Sequence, residues 1–443
     1  MFETLKNAFK VKEIRVKIWW TLLFLLLYRL GCYIPVPGIG SKLISSEDLS
    51  KLNYLSIMSM MTGGSLANGT WFAMGISPYI NASIIIQLLT VAIPALETMS
   101  KSGEDGRRKI NNITRIVAIV LAIIQSVGIL LNYGTNLVTT TEGGPSSLKD
   151  MLFGQAWLAY IVAVIFYASG TAVTMWIGER ITDYGVSNGV SMLIFIGIIS
   201  SAGLYVVESI RTIATSGSDA ALNKFWQLVG YLIAIIIVFG CIVLVELAER
   251  KIPVQYAKQV KGRKMYGGQS TVIPIKVNAN GVMPLIFAFS LISFPELIIT
   301  IFWGSNSDFL VKWNSIVGSG SWLYMIILCL LILGFSYFYT TIQFNPEEIS
   351  RSIQQNGGFI PGYRPGKPTT DYLKRVSNRI TLFGAIYLAL MALIPSILFR
   401  VIDQSASSVF TATGMLVAVS VALEFNTALE SQLMMKNYKG FLK

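Results

Sequence analysis

Long apolar runs recur along the whole chain and are separated by shorter polar segments. Each run is roughly 20 residues long, which is the length that an α-helix needs to cross the hydrocarbon core of a bilayer. The pattern therefore predicts an all-α polytopic membrane protein with ten transmembrane helices. The predicted spans cover residues 18–36, 71–96, 114–133, 155–177, 188–208, 226–247, 281–303, 319–343, 379–400 and 408–431.

The positions of the basic residues predict which ends of the spans face inward. An even number of spans places both termini on one side, and with that side inside, the inner segments hold most of the 35 Lys and Arg residues. Because positive charge is retained on the cytoplasmic side during insertion, we expect the N-terminal segment 1–17 and the tail 432–443 to be cytoplasmic. Two large cytoplasmic loops, 248–280 and 344–378, carry much of this basic charge.

The ten spans divide into two five-helix halves, residues 18–208 and 226–431. A half with an odd number of spans forces the next half to begin on the opposite face of the membrane. The two halves are therefore inverted relative to each other if they are homologous. We see no convincing sequence repeat between them, so the inverted arrangement rests on the span count.

A short apolar segment, Leu55–Met61, lies between the first two spans and is too short to cross a bilayer. Gly63 and Gly64 then interrupt it before the second span begins. Irregular backbone at membrane depth is tolerated only where it is buried in protein or lines a cavity. The segment is therefore either a re-entrant element that fills a cavity or an interfacial helix in an outer loop, and the residues alone leave both interpretations open.

Polar side chains mark one face of the second span. Ile80, Ser83, Ile84 and Gln87 recur at helical spacing and share a face, and Gln125 adds an amide in the third span. Polar side chains in hydrocarbon are costly and normally face protein or water. These residues indicate either a functional polar seam within the bundle or ordinary hydrogen bonding between helices.

The first large loop has the pattern of strands rather than of a simple connector. Residues alternate around 252–257 and 272–277, and the sequence GRKMYGG between the two runs predicts a turn. Arg263 and Lys264 would then lie at the tip. A charged run is ordinarily a solvated face, but strands beneath the charge favour a docking surface.

The second large loop presents one arginine on a stiff segment, GGFIPGYRPG. Pro361 and Pro365 fix φ, while the glycines permit turns that other residues cannot make. Such a loop loses little conformational entropy on binding, so Arg364 is predicted to meet a carboxylate or phosphate group of a partner. The alternative is a tight connector whose arginine interacts with lipid headgroups.

The composition excludes several classes of function. The chain of 443 residues is 53% hydrophobic and 13% charged, and it contains no histidine. Because it has no Walker A, G-x-S-x-G or H-E-x-x-H sequence, we expect neither an enzyme nor a bound cofactor or metal. The ionisable residues Arg29, Glu246, Glu296 and Glu424 lie mostly near span ends. A transporter coupled to protons or sodium is a weaker hypothesis, because it would place acidic residues at the midplane.

Seven motifs of the chain resemble those of the SecY family, the large subunits of the Sec protein-conducting channel. The resemblance runs nearly end to end. It implies a ten-helix clamshell in the bacterial cytoplasmic membrane, hinged on the outer side. Such a channel conducts unfolded polypeptide through a central pore and releases apolar segments into lipid between spans two and three and spans seven and eight. The motifs are YRLGCYIPVPGI, GISPYINASIIIQLL, GEDGRRKI, ERKIPVQYAKQVKGRKMYGGQST, IPIKVNANGVMP, GGFIPGYRPGKPT and ESQLMMKNY.

The resemblance also implies roles for individual residues inside the bundle. It places a plug at residues 55–70, and it places Gln87 and Gln125 in the polar seam of the lateral gate. The plug residues are Met58, Met60, Met61, Gly63 and Gly64. The ring of pore-lining aliphatic residues is Ile80, Ile84, Ile194, Ile198, Ile286 and Val417.

Partners are implied for the cytoplasmic side in the same way. Arg364 and Tyr438 would contact the SecA motor ATPase, and Arg263 and Lys264 would face the ribosome, whose RNA phosphates suit basic loops. Family members work with the small membrane subunits SecE and SecG. The translocating polypeptide and membrane lipid are the remaining expected contacts.

Overall fold

The computed structural model of the chain is a bundle of long helices with a small β-sheet at one end. It describes a large part of every predicted span. The described residues are 2–36, 43–44, 53–133, 156–215, 218–256, 259–261, 264–266, 270–278, 281–303, 307–318, 321–402 and 412–441.

The secondary structure elements are named here in chain order. The helices before residue 216 are α1 (Phe2–Lys10), α2 (Lys12–Gly31), α3 (Asn53–Met61), α4 (Ser77–Ala92), α5 (Pro94–Lys101), α6 (Gly103–Tyr133), α7 (Ala156–Tyr184) and α8 (Gly189–Thr215). The later helices are α9 (Ser218–Glu246), α10 (Met283–Trp303), α11 (Asp308–Val317), α12 (Trp322–Gln343), α13 (Pro346–Gln355), α14 (Lys367–Ile402) and α15 (Ala412–Phe441). The strands are β1 (Glu249–Tyr256), β2 (Gln259–Lys261), β3 (Lys264–Tyr266), β4 (Ser270–Lys276) and β5 (Gly358–Phe359).

The helices confirm an all-α polytopic membrane protein. Within the described residues, seven helices are long and apolar enough to cross a membrane, and an eighth span results if α4 and α5 are counted together. The remaining two predicted spans correspond to α2 and α15, which are also helical. Charged residues near both ends of α2 and in the second half of α15 shorten the uninterrupted apolar stretch in these two helices.

The second predicted span, 71–96, is not one continuous helix. Its first residues form turns, and α4 begins only at Ser77. The chain then bends by 102° between α4 and α5. Pro94 explains the bend, because the residue before a proline is driven out of the α conformation, and Ile93 is extended at φ −109° and ψ 114°. The continuous helix in this predicted span is therefore shorter at both ends, from Ser77 to Ala92.

The helices pack so that the two predicted halves enclose a shared core. Helix α4 contacts α6, α6 contacts α7 and α10, and α10 contacts α12. Helices α14 and α15 pack together, and α8 contacts both α9 and α15. The largest buried cluster draws on helices from both halves, including Ile198 of α8, Leu285 of α10 and Leu416 of α15. The contacts α6–α10 and α8–α15 therefore join the halves on two sides.

A three-stranded antiparallel sheet in the order β4–β1–β5 links the two large loops. Strands β1 and β4 pair from Glu249 with Lys276 to Gln255 with Ser270, which confirms the strands predicted from alternation. Strand β5 belongs to the second loop and adds to the free edge of β1. Ile252 and Val254 of β1 are buried with residues of α13 and α14, so both loops share one small core.

The tip of the first loop is a second antiparallel pair, β2 with β3. Lys264 begins β3 and pairs with Lys261, although its side chain is not among those described. Arg263 lies outside the described residues. The predicted turn at the tip is consistent with this second hairpin, and the exposure of the two basic side chains stays a prediction.

Candidate pore, plug and docking loop

An apolar cavity lies between the helices of the bundle. Its walls come from α4, α8, α10 and α15, and α3 closes one side. Several of its wall residues are branched aliphatics that the sequence had singled out. Five of the six predicted ring residues line it: Ile80, Ile194, Ile198, Ile286 and Val417.

The sixth predicted ring residue, Ile84, lies near the cavity but is not among the residues that line it. It is buried in a neighbouring cluster with Phe287 of α10 and Tyr339 of α12. Ile80 packs against this cluster and also lines the cavity. The shared helical face predicted for the second span is thus divided between the cavity and the contact of α4 with α10 and α12.

The predicted plug is a buried element with its own turn chemistry. Helix α3 ends at Met61, and Gly63 and Gly64 follow with φ of 66° and 85°, a region that residues with a Cβ rarely adopt. Met58 and Met60 are 1% and 5% exposed. The segment therefore lies inside the bundle, as a re-entrant element does, and not on its surface.

Small residues on the surrounding helices allow the plug to approach closely. A Cβ on Gly197 of α8 would overlap the carbonyl oxygen of Met61, and a Cβ on Gly414 of α15 would lie 2.9 Å from the sulfur of Met60. Ser201 of α8 donates a 3.1 Å hydrogen bond to the carbonyl oxygen of Met60. The backbone of the plug is thus in contact with α8, and the Met60 side chain is in contact with α15.

Arg29 at the end of α2 is a polar neighbour of the plug. Its Nη2 donates to Ser200 Oγ and, at 3.4 Å, to Tyr33 Oη. Its Nη1 is buried and has no hydrogen-bond partner among the described residues, and the position of a Cβ on Gly63 would clash with it. Sequence analysis identified Arg29 only as an ionisable residue in a span, because nothing local to α2 reveals its contact with the plug.

The contact between α4 and α12 contains a hydrogen bond between side chains. Tyr339 Oη donates to Gln87 Oε1 at 2.6 Å. Tyr339 also packs on Phe287 of α10, with a distance of 5.0 Å between ring centroids. Gln87 was predicted from the sequence, but Tyr339 was not, since a tyrosine in an apolar helix carries no periodic signal.

The contact between α6 and α10 has its own polar groups. Asn132 of α6 donates a 2.8 Å hydrogen bond to the carbonyl oxygen of Thr300. Two turns earlier, Gln125 is 2% exposed, and neither of its amide atoms is hydrogen bonded to a described residue. The two predicted gate glutamines are therefore on neighbouring helices, but only Gln87 has a partner in the described residues.

Arg364 is exposed on a loop whose backbone is fixed on both sides. Thr369 Oγ1 donates to the carbonyl oxygen of Arg364 at 2.8 Å, and Ser350 Oγ donates to that of Gly366 at 3.0 Å. Tyr363 stacks on Tyr372 with ring centroids 4.1 Å apart. The guanidinium is thus presented to solvent from a rigid base. Tyr438 lies near the end of α15, where only the backbone is described.

The chain is similar in sequence to protein translocase subunits. The family model described as SecY matches residues 70–426. The protein translocase subunit SecY of Streptomyces galbus is 40% identical, and the similarity covers 100% of both chains. The SecY subunit of Thermotoga maritima is 36% identical over 100% of this chain and 98% of its own length.

Solved structures share the fold at much lower identity. One described as "The structure of a protein conducting channel" has a TM-score of 0.66 and 18% identity, and covers 94% of this chain and 92% of its own. Another, "Sec61 in the Canine ribosome-channel complex from the endoplasmic reticulum", has a TM-score of 0.64 at 17% identity with the same coverage. The likeness extends across helices that surround the cavity and the plug, and with 36–40% identity along its whole length, the chain belongs to the SecY family.

Proposed function

We propose that this chain is the central pore-forming subunit of a Sec translocon, a passive channel for unfolded secretory polypeptides in the bacterial cytoplasmic membrane. The relatives that cover its whole length are protein translocase subunits. The observation that carries the proposal is the apolar cavity with the buried segment 55–70 against one of its sides. We propose that this segment is the plug, that the halves 18–208 and 226–431 form the two sides of the channel, and that the chain has no enzymatic activity.

The walls of the cavity suit a channel that must stay closed to ions. A narrow ring of apolar side chains resists wetting, so hydrated ions meet a barrier while the channel is idle. Branched aliphatic side chains make no directional bonds and can therefore close around any passing sequence. We assign this ring to the five isoleucine and valine residues that line the cavity, and we place Ile84 at its edge.

The seam between α4 and α6 on one side and α10 and α12 on the other is the proposed lateral gate. Gln87 and Gln125 lie on its first side and Tyr339 on its second. A few polar contacts across an otherwise apolar seam allow it to separate, because lipid tails can replace the apolar contacts. Apolar segments of a passing polypeptide would leave through this seam into the lipid.

The sheet end of the bundle is proposed to be cytoplasmic, together with both termini. Arg364 with Tyr438 would contact the SecA motor, and Arg263 with Lys264 would face ribosomal RNA. One solved structure with this fold is described as Sec61 in a ribosome-channel complex, and another as an idle yeast Ssh1 complex bound to the ribosome. SecE and SecG are the proposed small membrane subunits of the complex, and the energy for transport comes from the docked partner.

A coupled solute transporter fits the cavity less well. Among the described residues, the wall of the cavity contains serines and one asparagine but no ionisable side chain. A coupling ion would therefore find no carboxylate within this part of the chain.

Charge reversal at Arg364 tests the proposed docking. Vesicles containing the complex with SecE and SecG should transport a secretory precursor when SecA and ATP are added. The Arg364→Glu variant should lower this rate by at least about tenfold, because reversal of an interfacial charge both removes an ion pair and creates repulsion.

Arg351→Glu is the matched control, since Arg351 is exposed in α13 of the same loop and the net charge changes equally. Its transport rate should stay near that of the unmodified channel. The docking role of Arg364 is wrong if Arg364→Glu transports the precursor as fast as Arg351→Glu. The channel function itself is wrong if the unmodified vesicles pass a sugar or an amino acid readily and never a precursor.

A further inference from the structure

One carboxylate oxygen joins three separate parts of the molecule. Oε1 of Glu246, at the end of α9, accepts a 2.8 Å hydrogen bond from Asn278 Nδ2 and a 2.7 Å hydrogen bond from Ser420 Oγ. Asn278 follows β4 and is 6% exposed, and Ser420 lies in α15. Hydrogen bonds to an ionised acceptor are about twice as strong as those between neutral groups.

The first of these bonds fixes the base of the hairpin formed by β1 and β4. Next to Asn278, the amide of Val277 donates to the carbonyl oxygen of Ala248 at 2.9 Å. The two segments of the hairpin therefore remain paired where they enter the bundle. A Cβ on Gly384 of α14 would lie 2.7 Å from the carbonyl oxygen of Val277. The hairpin base is thus in contact with α14 and bonded to the end of α9.

The second bond connects this base to the wall of the cavity. Helix α15 is continuous, and three of its residues at successive i, i+3 positions have different neighbours. Gly414 touches Met60 of the plug, Val417 lines the cavity, and Ser420 binds Glu246. Six residues of α-helix span about 9 Å, so one stiff segment links the plug, the cavity and the hairpin base.

We propose that Glu246 is a positioning residue that couples the first large loop to the pore-lining segment of α15. A displacement of the hairpin by a docked partner pulls Asn278, and Glu246 transfers the displacement through Ser420 to Val417 and to the contact with Met60. The proposal rests on the proposed function, because it requires that a partner docks on this loop. Without the carboxylate, the partner binds as before but its movement reaches the pore less efficiently.

The test measures precursor transported per ATP hydrolysed, using vesicles with the full channel complex and the motor. Glu246→Ala should lower this ratio about tenfold, because two charge-assisted bonds are lost. Glu246→Gln should lower it less, since the amide oxygen can still accept both bonds without the charge. In all variants the affinity of the motor for the vesicles should stay within about twofold of the original.

Single and double substitutions separate coupling from a merely structural role. Asn278→Ala and Ser420→Ala should each lower the ratio, and Ser420→Ala should add little in the Glu246→Ala background, because partners in one network are not additive. Glu249→Ala and Ser431→Ala are the controls. Among the described residues, the exposed Glu249 side chain forms an ion pair with Lys251, and the Ser431 hydroxyl donates within its own helix. Both controls should keep the original ratio.

Three results would overturn the proposal. The first is an unchanged ratio in Glu246→Ala while the unmodified complex transports precursor, which contradicts the coupling and leaves the channel function intact. The second is a parallel loss of motor binding and of thermal stability of the purified complex, which assigns Glu246 to the fold alone. The third is an unmodified complex that binds the motor and transports no precursor, which overturns the proposed function together with the coupling.

Discussion

Individual residues decide how tightly the proposed gate is closed. In an apolar seam between helices, a hydrogen bond between two side chains has no water to replace it when the seam opens into lipid. Tyr339 and Gln87 form such a bond across α4 and α12, at 2.6 Å. The aromatic contact of Tyr339 with Phe287 would remain without the hydroxyl. The Tyr339 hydroxyl thus stabilises the closed gate, and it can be removed without removing the contact between the two rings.

Replacement of Tyr339 by Phe tests this single bond. Its loss should shift the equilibrium of the gate toward the open state roughly fivefold, since one hydrogen bond contributes about 1 kcal/mol. Cysteines can be placed on the two sides of the gate and reacted with a short cross-linker in the idle channel. A more open gate would lower the yield of cross-linked product. Tyr337→Phe is the control, because Tyr337 is more exposed and its hydroxyl makes a long 3.4 Å bond to the backbone of Asn378. Equal yields in both variants would contradict the role of Tyr339.

Among the elements, the plug helix α3 is the one that depends most on its surroundings. It has nine residues, and an isolated helix of that length is unstable in water. Met58 is buried in the same cluster as Leu66 and Ile299, whereas Met60 lies against α8 and α15. A short helix that is stabilised by contacts with its neighbours can be displaced as a unit without unfolding the helices around it.

A cysteine pair tests whether the plug moves when a polypeptide enters. With Cys32, Cys241 and Cys329 replaced by serine or alanine, Met60→Cys and Gly414→Cys should form a disulfide in the idle channel. A precursor arrested in the pore should reduce its formation severalfold and should instead cross-link to Met60→Cys through a cysteine of its own.

Met58→Cys combined with Gly414→Cys is the matched control, since Met58 belongs to a different cluster and should form little disulfide in either state. If the disulfide from Met60→Cys forms equally well with and without the arrested precursor, the segment does not move on opening.

At the scale of the whole molecule, the proposed closed state depends on the two halves meeting around an apolar cavity. Helices α4 and α8 bring isoleucines from the first half, and α10 and α15 bring Ile286 and Val417 from the second. None of these side chains could close the cavity alone. The proposed barrier to ions is therefore a property of the assembled bundle, and it should fail when the wall becomes polar.

Serine in place of Ile80 and Ile198 should let water into the cavity and raise the resting ion conductance severalfold, because an apolar constriction gates by dewetting. Currents across planar bilayers that contain the purified complex would measure this. Ile199→Ser in place of Ile198→Ser is the matched control, since Ile199 follows Ile198 in α8 but is 44% exposed on the surface of the bundle. Conductance that stays at the resting level in the double variant would remove these residues from the barrier.

The sequence by itself determined the features that depend on neighbouring residues. Apolar runs of sufficient length produced the spans, alternation produced β1 and β4, and the glycines at 63 and 64 ended the plug helix, because each pattern acts within a few residues. Pro94 was also a local signal, and it could have revealed the bend after α4. Five of the six residues named for the pore ring were found around one cavity, although that assignment came from family resemblance and not from periodicity.

Tertiary structure alone decided which distant segments meet. Gln255 pairs with Phe359 of the other loop, Gln87 meets Tyr339, and Glu246 binds both Asn278 and Ser420. No local pattern encodes such contacts, because each depends on how helices far apart in the chain are packed and rotated against one another. Ile84, which the resemblance assigned to the ring, likewise has neighbours that only the packing reveals, Phe287 of α10 and Tyr339 of α12. The chain thus encodes its helices locally, whereas its cavity and its polar connections arise only when those helices pack.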